Sequence, residues 1–66
     1  MRVKVNGKEM DLRENITIKE LIEELKIEGK VMAAAINMEV VKKENWDEKT
    51  INEDDKIELL QFVGGG

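Results

Sequence analysis

The chain stops at Gly64-Gly65-Gly66, directly after an apolar stretch ending in Phe62-Val63. This is the one segment of its 66 residues whose types and spacing suggest chemistry. Three extended glycines reach about 10 Å at roughly 3.3 Å each. Without Cβ atoms they can thread a narrow tunnel and present the Gly66 carboxylate to the active site of another protein. Terminal glycines can also fray and do nothing; three as the last residues, joined to a strand without a polar linker, favour use. A carboxylate is a poor electrophile, so acyl chemistry at Gly66 needs activation. The chain has no cysteine and no histidine. It therefore has no thiolate nucleophile, no disulfide, no proton shuttle near neutral pH and no imidazole metal ligand. Nor does it have a Gly-Lys-Ser/Thr phosphate loop to hold ATP. The expectation is a carrier that other enzymes act on, not an enzyme, with no cofactor and no metal of its own.

Composition narrows the remaining classes. Eleven Lys and Arg stand against 15 Asp and Glu, a formal net charge of −4. Nucleic acid and anionic membranes repel such a balance, because phosphate affinity comes from Lys and Arg that displace counterions. No apolar run approaches the roughly 18 residues that a membrane span requires, and the N-terminus shows no apolar signal segment. A soluble, acidic, cytoplasmic module is expected. Apolar residues make up 41% and charged residues 39%, enough of each for a core and a solvated surface. With one Trp, one Phe and no Tyr, that core must be aliphatic. There are no repeats and no internal linker, so residues 1–63 read as one domain and 64–66 as a flexible tail.

The tail is useful only if the elements before it hold it in place. Met1 to Val5 alternate apolar and basic residues, the period of a half-buried strand. Asn6-Gly7 tolerates the positive φ of a type I′ turn, and Lys8 to Leu12 returns antiparallel with Met10 and Leu12 inward. Thr17 with Glu20 three residues later makes a capping box, and Ile16 can pack on Leu21 across it. Ile18, Leu21, Ile22 and Leu25 form one apolar stripe, so a helix is expected over Ile18 to Ile27, stopped by Gly29 as its C′ residue. Val31 to Ile36 is a continuous apolar run, expected as a strand buried on both faces despite its alanines. Asn37-Met38-Glu39 reads as a tight turn and Val40-Val41 as a short returning strand. Lys42 to Asp55 is polar, with Trp46 and Ile51 as isolated anchors. Lys56 to Val63 is the last strand.

The order β-β-α-β-β-loop-β describes an α+β chain of the β-grasp, ubiquitin-like kind. It has a mixed sheet of four to five strands, one main helix packed on one face and an extended C-terminal tail. The first and last strands should pair in parallel at the sheet centre, with the helix as crossover cover.

Nearly the whole chain resembles the ThiS-like sulfur carrier proteins of thiamin thiazole synthesis, within the ubiquitin-like ThiS/MoaD superfamily. The resemblance runs from Asn6-Gly7 through Thr17-Ile18-x-Glu20-Leu21-Ile22 and Ala35-Ile36-Asn37-x-Glu39-Val40-Val41. It continues through Trp46 and Asp55-x-Ile57-Glu58-Leu59 to Val63-Gly64-Gly65-Gly66. It implies that a ThiF-like adenylyltransferase activates the Gly66 carboxylate with ATP. A persulfide protein then supplies sulfur to form a thiocarboxylate, which is delivered to a ThiG-like thiazole synthase. Carriers for molybdopterin synthesis or tRNA thiolation share the fold and tail, and a ubiquitin-like modifier or plain interaction domain is the other alternative. The chain departs from the family pattern twice. Lys42-Lys43 stands where Pro-Arg is usual, and Asp54 where Gly is usual, which implies changed turn geometry rather than a lost carrier function.

Four further features complete the reading. Leu60 and Phe62 fall on the strand face opposite Ile57 and Leu59, and with Val63 they are candidates for a partner interface, since exposed apolar patches mark contact sites. Trp46 is expected to anchor its loop over a satellite core. Glu53-Asp54-Asp55 is expected to be a solvated turn, too few oxygens for calcium. Lys42-Lys43 is read as surface charge.

Overall fold

Asn6 and Gly7 make the first fold decision. Both adopt left-handed backbone, with φ of 51° and 84°. A two-residue turn of that hand matches the twist of the strands it joins. In the computed structural model, which describes residues 1–62, β1 (Arg2–Val5) therefore folds directly onto β2 (Lys8–Asp11) with Val5 opposite Lys8. Val3 and Val5 point into the core, and Leu12 follows them there.

The helix starts as expected and ends early. α1 spans Ile18–Glu24. Thr17 accepts a hydrogen bond from the Glu20 N–H through Oγ1 at 3.1 Å, and the Glu20 carboxylate accepts from the Thr17 N–H at 3.0 Å. Ile16 and Leu21 are both fully buried beside this cap. The expected end at Ile27 with Gly29 as C′ is corrected. Leu25 is the C-cap and Lys26 takes the left-handed position at φ 59°. The Lys26 N–H donates to Glu23 O and the Ile27 N–H to Ile22 O, the paired bonds of a Schellman ending. Gly29, at φ 78°, serves the following turn, which the Lys30 N–H closes on Ile27 O. The apolar stripe needs burial only through Leu25. The chain must then turn toward β3, and that geometry outweighs the preference for glycine.

β3 (Val31–Ile36) and β4 (Glu39–Val41) form a second hairpin, turned by Asn37 and Met38 at φ 51° and 74°. β5 (Lys56–Gln61) runs parallel to β1 and antiparallel to β3, giving the strand order β2-β1-β5-β3-β4. This is the β-grasp arrangement. The expectation that β3 is buried on both faces is corrected. Val31, Ala34 and Ile36 face the core, while Met32 is exposed and Ala33 and Ala35 are half-buried. One helix covers one face of a sheet, and nothing in the described residues covers the other. Val31 and Ala34 are three apart yet both face inward, because a bulge sets Met32 and Ala33 together against Leu60.

The polar segment from Lys42 to Asp55 is more than a connection. After a 3-10 turn at Lys43–Asn45, Trp46 O accepts from the Lys19 N–H, Lys49 O from the Ile18 N–H, and Ile16 O from the Ile51 N–H. Two helix-start donors with no partner inside α1 are satisfied in this way. Trp46 and Ile51 belong to the main core rather than a satellite, and the indole N–H donates to Val41 O at 2.8 Å. Among the described residues, no helix is long and apolar enough to cross a membrane.

Two outcomes follow from the helix. Lys26→Gly relieves the left-handed penalty of about 1 kcal/mol. Thermal unfolding should therefore shift up by about 4–8 °C; a lower Tm would contradict the assignment of Lys26 as the C′ residue. The Thr17 N–H holds the Glu20 carboxyl below the usual glutamate range, with Arg13 adding to the effect against an opposing desolvation. The unfolded chain thus binds the extra proton. The cap's contribution is complete at neutral pH and is lost as pH falls from the ordinary glutamate range through the folded pKa. An NMR titration should place the Glu20 midpoint below the ordinary glutamate value, and an ordinary midpoint would refute this.

Candidate functional site

β5 is the element that carries the chain toward its last residues, and its backbone is gripped from both sides. On the β1 side, Lys4 N–H donates to Asp55 O and Asn6 N–H to Ile57 O. β1 then turns away, and the Asn6 side chain continues its ladder. Its Oδ1 accepts from the Leu59 N–H at 2.8 Å, and its Nδ2 donates to Leu59 O at 3.2 Å. On the β3 side, Asn37 N–H donates to Lys56 O and Asn37 Oδ1 accepts from the Lys56 N–H. Asn37 Nδ2 donates to Asp55 Oδ1 at 3.0 Å, and Asp55 Oδ2 accepts from the Asn52 N–H at 2.8 Å. Both asparagines sit in left-handed turns, which Asn tolerates better than most residues.

The expected solvated acidic turn is corrected by these bonds. Asp55 is buried, while Glu53 and Asp54 stay exposed. Glu53 accepts from the Arg2 N–H, and the Asp54 N–H donates to Arg2 O. The residues of this turn are occupied in joining β1 to β5. Asp54 sits at φ 67°, a conformation that glycine adopts freely and residues with a Cβ take less readily.

The grip also fixes which side chains β5 turns outward. Ile57 and Leu59 are buried, at 1% and 5% exposure, and Leu60 and Phe62 lie open at 59% and 61%. The parity expected from the sequence is the one observed. The Phe62 N–H still donates to Lys30 O, so the ladder holds to the last described residue. Leu60 pairs with Ala33, and Ala35 pairs with Val40, which is also exposed. Met32 joins this surface, giving an apolar strip across β5, β3 and β4 with a shallow groove of about 410 Å³ floored by Ala33 and Ala35. Met32 and Val40 escaped the sequence reading because an Ala-rich run between Gly and Asn looks buried on both faces. The Asn37-Met38 turn carried the missing signal, since it sets Val40 across from Ala35. Val63, Gly64, Gly65 and Gly66, expected as the root and body of the tail, lie outside the described residues. Lys42 and Lys43 are exposed, and Lys43 Nζ stands 5.8 Å from the Trp46 ring centroid.

A parallel central pair, a single covering helix and a last strand leading to terminal glycines define a ubiquitin-like β-grasp protein. Comparison with known proteins agrees. Residues 3–66 match the model of the ThiS family. The chain is 32% identical to the sulfur carrier protein ThiS of Bacillus subtilis, covering 97% of this chain and 98% of that one. It is also 32% identical to ThiS of Escherichia coli, covering all of both. The crystal structure of the thiamine biosynthesis protein ThiS from Geobacter metallireducens superposes with a TM-score of 0.82 at 34% identity over the full length of both chains. The whole chain also matches, at 32% identity, a thiazole synthase of Paramagnetospirillum magneticum, of which it spans 20%. The chain belongs to the ThiS family.

Asn6→Gly removes the side-chain clamp while keeping a residue at ease with positive φ. Two bonds to a partly buried backbone are lost, so stability should fall by about 1–3 kcal/mol. The Leu59 amide should exchange with solvent faster than in the parent. Unchanged exchange at Leu59 would show that the Asn6 amide does not hold β5.

Proposed function

We propose that this protein carries sulfur on its last residue for thiazole formation in thiamin biosynthesis. One observation carries the reading: the match to the ThiS family extends through residue 66 and so includes the terminal glycines. The likeness of one thiazole synthase segment to this chain favours the thiazole pathway over molybdopterin synthesis or tRNA thiolation.

The chemistry proceeds in three steps. A ThiF-like adenylyltransferase joins the Gly66 carboxylate to AMP and releases pyrophosphate, turning a poor electrophile into a reactive acyl group. The terminal sulfur of a persulfide on a donor protein displaces AMP. A thiol then cleaves the resulting S–S bond and leaves a thiocarboxylate. Thiazole synthase takes that sulfur. The carrier's own part is mechanical. Gly64 and Gly65 pass through a channel too narrow for side chains, and the outer sheet face with Leu60 and Phe62 docks the body against each enzyme, with Val63 as a further contact residue. With neither cysteine nor histidine in the chain, the catalytic groups belong to the partners.

Incubation with ATP, a cognate adenylyltransferase and a persulfide donor should replace one Gly66 oxygen with sulfur, read as the corresponding rise in intact mass. Deleting Gly65-Gly66 should abolish that rise and leave Tm nearly unchanged. A wild-type chain that stays unmodified beside an enzyme active on another carrier would sink the proposal.

A further inference from the structure

The outer sheet face has a charged half as well as an apolar one. Lys4 of β1 and Lys56 of β5 stand side by side in the parallel ladder, both exposed. Across from them, β2 presents Glu9 opposite Lys4 and Asp11 opposite Arg2. Arg2 takes both carboxylates, Glu9 through Nη1 at 2.6 Å and Asp11 through Nε at 3.0 Å. Among the described residues, neither Lys4 nor Lys56 forms an ion pair. A shallow pocket of about 120 Å³ opens here, lined by Arg2, Lys4, Glu9, Asp54 and Lys56.

Like charges set directly across a ladder destabilise it, and the neighbour best placed to relieve Lys4 is bound to Arg2 instead. The fold thus leaves two positive charges together on a protein of net charge −4. A carboxylate from outside interacts favourably with both at once. Nucleic acid and anionic lipid fit poorly, because two lysines do not offset the repulsion from the remaining surface. Lys56, Glu58, Leu60 and Phe62 alternate outward along one strand, which places Lys56 about 20 Å from Phe62. A single protein interface of ordinary size covers that span.

We propose that Lys4 and Lys56 form the charged end of the docking face, and that the adenylating partner seats a carboxylate over them while its apolar socket takes Leu60 and Phe62. The proposal rests on the docking role given to this face above.

The test is titration of the full-length chain with the adenylyltransferase from the same organism, at low and high salt. Lys4→Gln with Lys56→Gln should weaken binding about fivefold at low salt and flatten its salt dependence, without lowering Tm. Lys19→Gln with Lys49→Gln, on exposed positions at the helix side, removes the same charge and should change affinity far less. Phe62→Ala should weaken binding and leave the salt slope intact. Equal effects of the two lysine pairs, with Phe62→Ala still weakening binding, would overturn this proposal and leave the docking face standing. Phe62→Ala binding like the parent would overturn the docking face itself. A dimer of this chain that Phe62→Ala dissociates would assign the face to a second copy and equally overturn the proposal.

Discussion

The capture of β5 between two neighbours is the constraint on which the rest depends. A parallel pair has no tight turn to set its register, and β1 and β5 are separated by most of the chain. Register is imposed locally by side chains and turns. The Asn6 amide extends a strand that has already turned away, and Asn37 with Asp55 ties the start of β5 to the neighbouring hairpin. A one-residue slip would exchange Ile57 and Leu59 for Glu58 and Leu60 in the core. The inward pair is what makes such a slip costly, while Asn6 holds the strand on its β1 side and Asn37 holds its start on the β3 side.

From that capture comes the asymmetry of the molecule. With α1 and the loop carrying Trp46 and Ile51 on one face, the core is complete at Ile16, Ile18, Leu21, Ile51 and Ile57. The other face has no cover among the described residues. Folding therefore does not require Leu60, Phe62, Met32 or Val40 to be apolar, which makes their chemistry available for binding. The same separation lets the strand that anchors the fold also turn Leu60 and Phe62 outward.

Much of this was legible in the residues. Asn6-Gly7, the Thr17–Glu20 box and the alternation across Ile57, Leu59, Leu60 and Phe62 act over a few positions, so local physics determines them. Long-range geometry determined the rest. Helix α1 gives way at Lys26 because the chain must reach β3, and a bulge at Met32–Ala33 breaks the alternation that would have exposed the open face. Asp55 looked solvated among acidic neighbours, yet it is buried because two partners, Asn37 and the Asn52 N–H, lie 18 and 3 residues away. Asn6 looked like a turn residue only; its second role depends on a strand 53 positions later.

The central claim is that this fold exists to present one carboxylate for loading and unloading. The most direct measurement is the mass of the C-terminal peptide isolated from the native host grown without thiamin. The account predicts a fraction in which sulfur replaces one oxygen on Gly66, disappearing when the adenylyltransferase gene is removed. A peptide that carries only the plain carboxylate under that demand would contradict it.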